Sequence, residues 1–136
     1  MYFAPFFERI RSITPQTSQN VAIDTAEKER IQSPAERNQF DDALKCILCG
    51  CCYGACPVMV GEDREFIGPA AILREQRYIF DSRTADAQER MQIMEKPNGV
   101  WGCKSYYKCT VVCPKNIKVT EAILKTKKKI TQEQTK

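Results

Sequence analysis

The stretch C46-I-L-C49-G-C51-C52-Y-G-A-C56-P contains the spacing C-x2-C-x2-C-x3-C-P in full. A loop this tight wraps three thiolates around three corners of an iron-sulfur cubane. In two-cluster ferredoxins the fourth cysteine, turned away just before the proline, serves the other cluster. A structural zinc site is the alternative, but it normally pairs two C-x2-C knuckles, and the C-x3-C-P ending has no role in that geometry. Gly50 and Gly54 suit the close backbone approach such a loop requires. Cys51 is left over. It cannot share a corner with the adjacent Cys52, and its expected place is that of a small buried residue near the cluster.

Further along, C103-K-S-Y-Y-K-C109-T-V-V-C113-P repeats the pattern with Tyr106 where the second cysteine should stand. The crossing rule then distributes the ligands. One cluster takes Cys46, Cys49, Cys52 and, from the second group, Cys113; four thiolates make it [4Fe-4S]. The other takes Cys103, Cys109 and the crossing Cys56, and three thiolates hold three irons, a [3Fe-4S] cluster with a vacant corner at Tyr106. A Tyr106 phenolate or a water holding a fourth iron is the alternative at that corner.

The rest of the composition fits an electron carrier. A chain of 136 residues, 43% hydrophobic and 28% charged, suits one domain or two small lobes. Eight cysteines call for disulfides, metal or redox chemistry. The opening MYFAPFFERIRS has no secretory-signal pattern, which argues against a disulfide scaffold. With no histidine at all, Cys/His zinc fingers, Rieske ligation, haem-ligating histidine and a histidine general base are excluded. No run approaches the roughly 18 apolar residues of a spanning helix, so a membrane role would pass through partners. There is no phosphate-binding glycine loop and no nucleophile-base pair. The net charge of +4 is uneven, because the segment from Cys103 onward is strongly lysine-rich and the remainder is slightly acidic.

The pattern predicts a mainly α chain: an α-helical ferredoxin-like domain over 21–136, with two Cys-rich loops, preceded by an amphipathic segment and linker over 1–20. Phe3, Phe6, Phe7, Ile10 and Ile13 recur at helical spacing before Thr14-Pro15, for packing on this protein's core or on a partner. Capping boxes are read at Asp24-x-x-Glu27 and at Ser33-Pro34-Ala35-Glu36, the latter opening a helix over about 34–45. Gly68-Pro69 opens a helix with Ile72, Leu73, Gln76, Ile79 and Phe80 on one face. Asp86-x-x-Glu89 starts another that ends near Lys96-Pro97. The last, about 120–131, turns Ile123, Leu124 and Ile130 inward and its lysines outward.

The landmarks CILCGCCYGACP, EFIGPAAI, RYIFDSR, ERM, NGVWGC and CTVVCPK, in that order, resemble the C-terminal, ferredoxin-like half of the iron-sulfur subunit of succinate dehydrogenase and fumarate reductase, respiratory complex II. EFIGPAAI and NGVW look more like fumarate reductases. The resemblance implies electron transfer between a flavoprotein with [2Fe-2S] and a membrane quinone, the dicarboxylate site lying on another chain. It implies that the [3Fe-4S] cluster exchanges electrons with quinone beside a membrane anchor. Lys127 falls on the family's quinone-pocket lysine and Pro57 on the proline after the crossing cysteine. Taken alone, Lys127 is one of the run KTKKK, a solvated helix end, and the neighbouring lysines suit anionic lipid.

Departures from the family mark the same region. Lys104 stands where succinate dehydrogenases usually have histidine, and Gly61 where they have a pocket tryptophan. The family's N-terminal [2Fe-2S] domain, with its C-x4-C-x2-C signature, is absent from this sequence, so either a separate [2Fe-2S] polypeptide or a longer chain is expected. The expected partners are therefore a flavoprotein subunit carrying FAD, a [2Fe-2S] carrier and membrane anchor subunits. The expected location is peripheral on the inner membrane, facing the cytoplasm or the mitochondrial matrix. Two rivals remain at this point: an iron-sulfur carrier of a heterodisulfide-reductase-like or glycerol-3-phosphate-dehydrogenase-like complex, and a zinc module whose basic tail binds nucleic acid.

Overall fold

Proline at the first helical turn loses nothing, since its missing N–H would have had no partner there, and Pro69 opens the helix around which the chain is built. The computed structural model describes residues 3–13 and 31–136, which form helices and loops with no strand among them. In chain order the helices are α1 (Ala4–Ser12), α2 (Pro34–Asn38), α3 (Asp41–Leu44), α4 (Cys51–Gly54), α5 (Pro69–Ile79), α6 (Ala87–Glu95), α7 (Lys108–Val111) and α8 (Val119–Gln134). A π-helical turn, Val58–Glu62, follows the first cysteine loop, and a 3₁₀ turn, Val100–Gly102, precedes the second.

Helix α5 buries Ile72, Leu73, Gln76 and Ile79, as their spacing predicts, and packs along α8, whose Ile123 and Ile130 face it from the shared core. Leu124 was expected inward and is instead 37% exposed. The inner face at that level is filled by Ile123 and Thr126, the Thr126 hydroxyl donating to the Ala122 carbonyl at 2.9 Å. The helix also runs past the expected end at 131, to Gln134.

Helix α1 packs onto the core through Phe6, Ile10 and Ile13, while Phe3 and Phe7 stay at its rim, each more than a third exposed. Arg9 fastens it, donating to the Tyr53 hydroxyl at 2.8 Å, to the Phe66 carbonyl at 3.2 Å and to the Arg64 carbonyl. The linker read at 15–20 and the capping box at Asp24 lie outside the described residues.

The helix expected over 34–45 is two helices. Its capping box forms, with Glu36 N–H donating to Ser33 Oγ at 3.2 Å and Ser33 N–H to Glu36 Oε2 at 2.8 Å. It breaks at Gln39-Phe40, where Phe40 leaves helical geometry (φ −132°) and buries its ring. Asp86 precedes α6 but does not cap it. Its carboxylate accepts instead from Arg90 Nε at 3.0 Å, and Arg90 also donates to Glu75 Oε2 at 2.6 Å and covers the Tyr78 ring. Burial pushes the Glu75 carboxyl upward, against the pull of Arg90. Removing the guanidinium strands the buried Glu75 and the half-buried Asp86, so Arg90→Met is expected to cost about 3–5 kcal/mol, read from the denaturant midpoint.

Candidate iron-sulfur centre

The two cysteine loops share one backbone course. Cys46 through Pro57 matches Cys103 through Pro114 position by position, and the short helices α4 and α7 occupy equivalent places. Two residues after the first cysteine of each loop the chain is left-handed, at Leu48 (φ 54°) and Ser105 (φ 56°). It is left-handed again two residues later, at Gly50 (φ 75°) and Tyr107 (φ 61°). For a residue with a Cβ this conformation costs roughly 1–2 kcal/mol, and three of these four positions carry one. Such backbone turns successive N–H groups into a concavity that suits an anion, a device common at iron-sulfur sites.

Each loop faces a cavity, and each cavity draws on both loops. The first is lined by Cys46, Cys49 and Cys52 from the first loop and by Cys113 from the second, over Ala70 and Leu73 of α5. The second is lined by Cys103 and Cys109 from the second loop and by Cys56 from the first, closed by Phe66, Pro69 and Ile123. The cysteines grouped by the crossing rule are thus the cysteines that share a cavity. Among the described residues no three Cys, Asp or Glu side chains converge on a point suited to one metal ion; the thiols stand around volumes.

Cys51 departs from expectation. It is exposed and lines neither cavity. At the first position of α4 it points outward because Cys52 points inward, and its counterpart in the second loop is the exposed Lys108. Gly54 is likewise exposed, and only Gly50 of the two glycines is buried and left-handed.

Burial pushes the Cys52 thiol up to about 12, and the nearby Cys46, Cys109 and Cys49 add to the effect. Cys46 and Cys109 are raised as well, again mainly by burial. Thiols so placed ionise only with a cationic partner, which is what iron supplies, so loading the site releases protons. The effect of Cys109 on Cys52 also shows that the cavities are electrostatic neighbours.

Around the second cavity lie polar groups that the sequence reading missed. The Thr120 hydroxyl, fully buried at the start of α8, is 3.2 Å from Cys109 Sγ and accepts from Thr110 Oγ1 at 3.0 Å. Glu62, read only as part of a polar turn, closes a clamp across the mouth. It accepts from the Tyr106 hydroxyl at 2.6 Å through Oε1 and pairs with Lys104 Nζ at 2.7 Å through Oε2. Lys104 and Tyr106 together hold its carboxyl below the usual range, and it in turn raises both of them. Tyr106 therefore lines the cavity with its ring about half exposed and its hydroxyl turned outward. Pro57 and Lys104 line the same cavity. Lys127 does not; its ammonium donates to the Cys103 carbonyl at 2.7 Å and lies 5.8 Å from the Trp101 ring centre.

Known proteins are similar to most of this chain. The chain is 42% identical over 107 residues to the succinate dehydrogenase iron-sulfur subunit of Coxiella burnetii, covering 79% of this chain and 46% of that one. It is 41% identical over 119 residues to the fumarate reductase iron-sulfur subunit of Escherichia coli O6:H1, covering 87% and 48%. A mitochondrial succinate dehydrogenase iron-sulfur subunit of Arabidopsis thaliana is 38% identical over 125 residues, covering 91% and 40%. The chain thus spans about half or less of the length of the curated relatives it matches. The profile of the 4Fe-4S dicluster domain matches residues 42–117, from just before Cys46 to just past Cys113. With both cysteine loops inside that match and more than half of the chain covered, the chain belongs to the 4Fe-4S dicluster domain family.

Proposed function

We propose that this chain is the two-cluster electron-transfer module of a succinate:quinone oxidoreductase, working in succinate oxidation or fumarate reduction. Residues 21–136 form its ferredoxin-like domain and 1–20 a segment that leads into it. Cys46, Cys49, Cys52 and Cys113 hold a [4Fe-4S] cluster, and Cys56, Cys103 and Cys109 hold a [3Fe-4S] cluster with Tyr106 at the vacant corner. Bound there, the clusters supply two one-electron couples between a flavoprotein with its [2Fe-2S] carrier and a membrane quinone. The left-handed turns of each loop aim backbone N–H groups into the cavity, the apolar floors of α5 and α8 exclude water, and Lys104 and Pro57 shape the outer mouth toward the quinone. Lys127 fixes the Cys103 carbonyl from behind and so acts on the quinone side of the loop. No helix among the described residues is long and apolar enough to cross a membrane, and the chain reaches the bilayer through anchor subunits.

The observation that carries this reading is the pairing of cysteines across loops, with a tyrosine in place of one thiolate on one side only. Purification of the native assembly tests it. A co-purifying flavoprotein, succinate-quinone activity and a [3Fe-4S] signal in the oxidised electron paramagnetic resonance (EPR) spectrum are expected. Two [4Fe-4S] species without it would favour the heterodisulfide-reductase-like alternative.

A further inference from the structure

Cys109 is the one cysteine among the described residues whose sulfur has a side-chain hydroxyl at hydrogen-bond distance. That hydroxyl belongs to Thr120, which has no solvent exposure. Its orientation is constrained. Thr110 Oγ1 donates to Thr120 Oγ1 at 3.0 Å and itself accepts from the Thr120 N–H at 3.0 Å. Thr110 already donates to the Thr120 oxygen, so the Thr120 proton points away from Thr110 and can reach the sulfur. When Cys109 is a thiolate it has no proton to give, and Thr120 becomes the donor. The first cavity has no such hydroxyl: Cys46 and Cys52 are met by the backbone N–H groups of Leu48 and Tyr53, and Cys49 by the Cys51 thiol.

We propose that Thr120 is a tuning residue for the cluster on Cys56, Cys103 and Cys109, its hydroxyl donating to Cys109 Sγ and holding the reduction potential of that cluster high. The inference rests on the proposed occupancy of the second cavity. A donor to a cluster sulfur stabilises the more negative, reduced state more than the oxidised one. One electron arrives from the cluster in the first cavity and one leaves to quinone; no bond in the protein forms or breaks, and the hydroxyl keeps its proton. The hydroxyl therefore makes the second cavity the downhill end of the pair. Thr110 acts through Thr120, as the residue that points it.

Redox titration of the native complex, followed by EPR, tests this with Thr120→Val, which keeps shape and removes the donor. The expected result is about a tenfold loss in the equilibrium constant for reducing the second cluster, a fall of roughly 59 mV for a one-electron couple, with the midpoint of the first cluster unchanged. Thr120→Ser, which restores the hydroxyl, should return the midpoint toward that of the unsubstituted protein. A midpoint does not depend on occupancy, so a variant that loads incompletely still reports. An unchanged midpoint in Thr120→Val, with both signals present, overturns the inference and leaves the proposed function standing. Absence of any second-cavity cluster from the unsubstituted complex overturns both.

Discussion

The two cysteine loops have the same backbone and different surroundings. In the first, Cys49 and Gly50 occupy the positions that Tyr106 and Tyr107 fill in the second, and Cys51 the position of Lys108. The first loop is thiol-rich and lined mostly by apolar residues. The second gives up a thiol and gains a hydroxyl pair at Thr110 and Thr120, a charged clamp at Glu62 and Lys104, and an exposed Trp101 beside Lys127. A duplicated scaffold thus carries one site lined mostly by thiols and apolar residues and one with a polar, charged mouth, which suits a relay whose far end must meet a separate electron carrier.

The comparison breaks most sharply at the crossing cysteines. Cys113→Ala alters the second loop, yet the account expects it to abolish the [4Fe-4S] spectrum while the [3Fe-4S] signal survives, as read by Mössbauer and EPR spectroscopy. Loss of the second cluster instead would mean that each loop serves only its own cavity.

A smaller effect distinguishes the loops by their left-handed positions. Gly50→Ala places a Cβ where the backbone is left-handed and is expected to cost about 1–2 kcal/mol. Tyr107→Ala keeps a Cβ already tolerated there and should change stability much less. Comparable losses at both sites in thermal unfolding of the loaded protein would show that the equivalence of the backbones has no energetic consequence.

The smallest effect concerns the clamp. Because Lys104 and Tyr106 hold the Glu62 carboxyl below its ordinary range, folding favours the ionised form. That contribution is complete above the ordinary carboxylate range and is lost as pH falls through the depressed value. Quinone-linked activity of the complex should therefore lose affinity for quinone at acid pH in the unsubstituted protein, and at neutral pH in Glu62→Gln, by a few-fold in KM. Turnover with a soluble electron acceptor should not change. Equal effects on both acceptors would remove Glu62 from the mouth of the site.

Much of this was legible in the sequence because cysteine spacing is a geometric code: the loops, their crossing and the two cavity memberships follow from where thiols stand relative to proline. Helix starts at Ser33 and Pro69 were legible because caps act locally. Long-range choices were not. Phe40 breaks a helix to reach the core, Asp86 gives up its cap for Arg90, and Leu124 yields the inner face to Thr126, each a case of tertiary packing overriding a local preference. Cys51 was misplaced because adjacency to Cys52 ruled out a shared corner and said nothing of burial. Glu62 was invisible because its partner Tyr106 lies far away in sequence, and Thr120 because a threonine in the first turn of a helix carries no sign of the sulfur it meets.

The central claim is that one missing thiolate, at Tyr106, makes the second cavity a three-iron site on a scaffold otherwise equivalent to the first. EPR of the oxidised complex, unsubstituted and as Tyr106→Cys, tests it most directly. The account predicts a [3Fe-4S] signal in the unsubstituted protein that disappears in the variant, replaced on reduction by a second [4Fe-4S] signal. A four-iron cluster already present in the unsubstituted second cavity, or a three-iron signal that persists unchanged with cysteine at position 106 in a fully loaded variant, would contradict it.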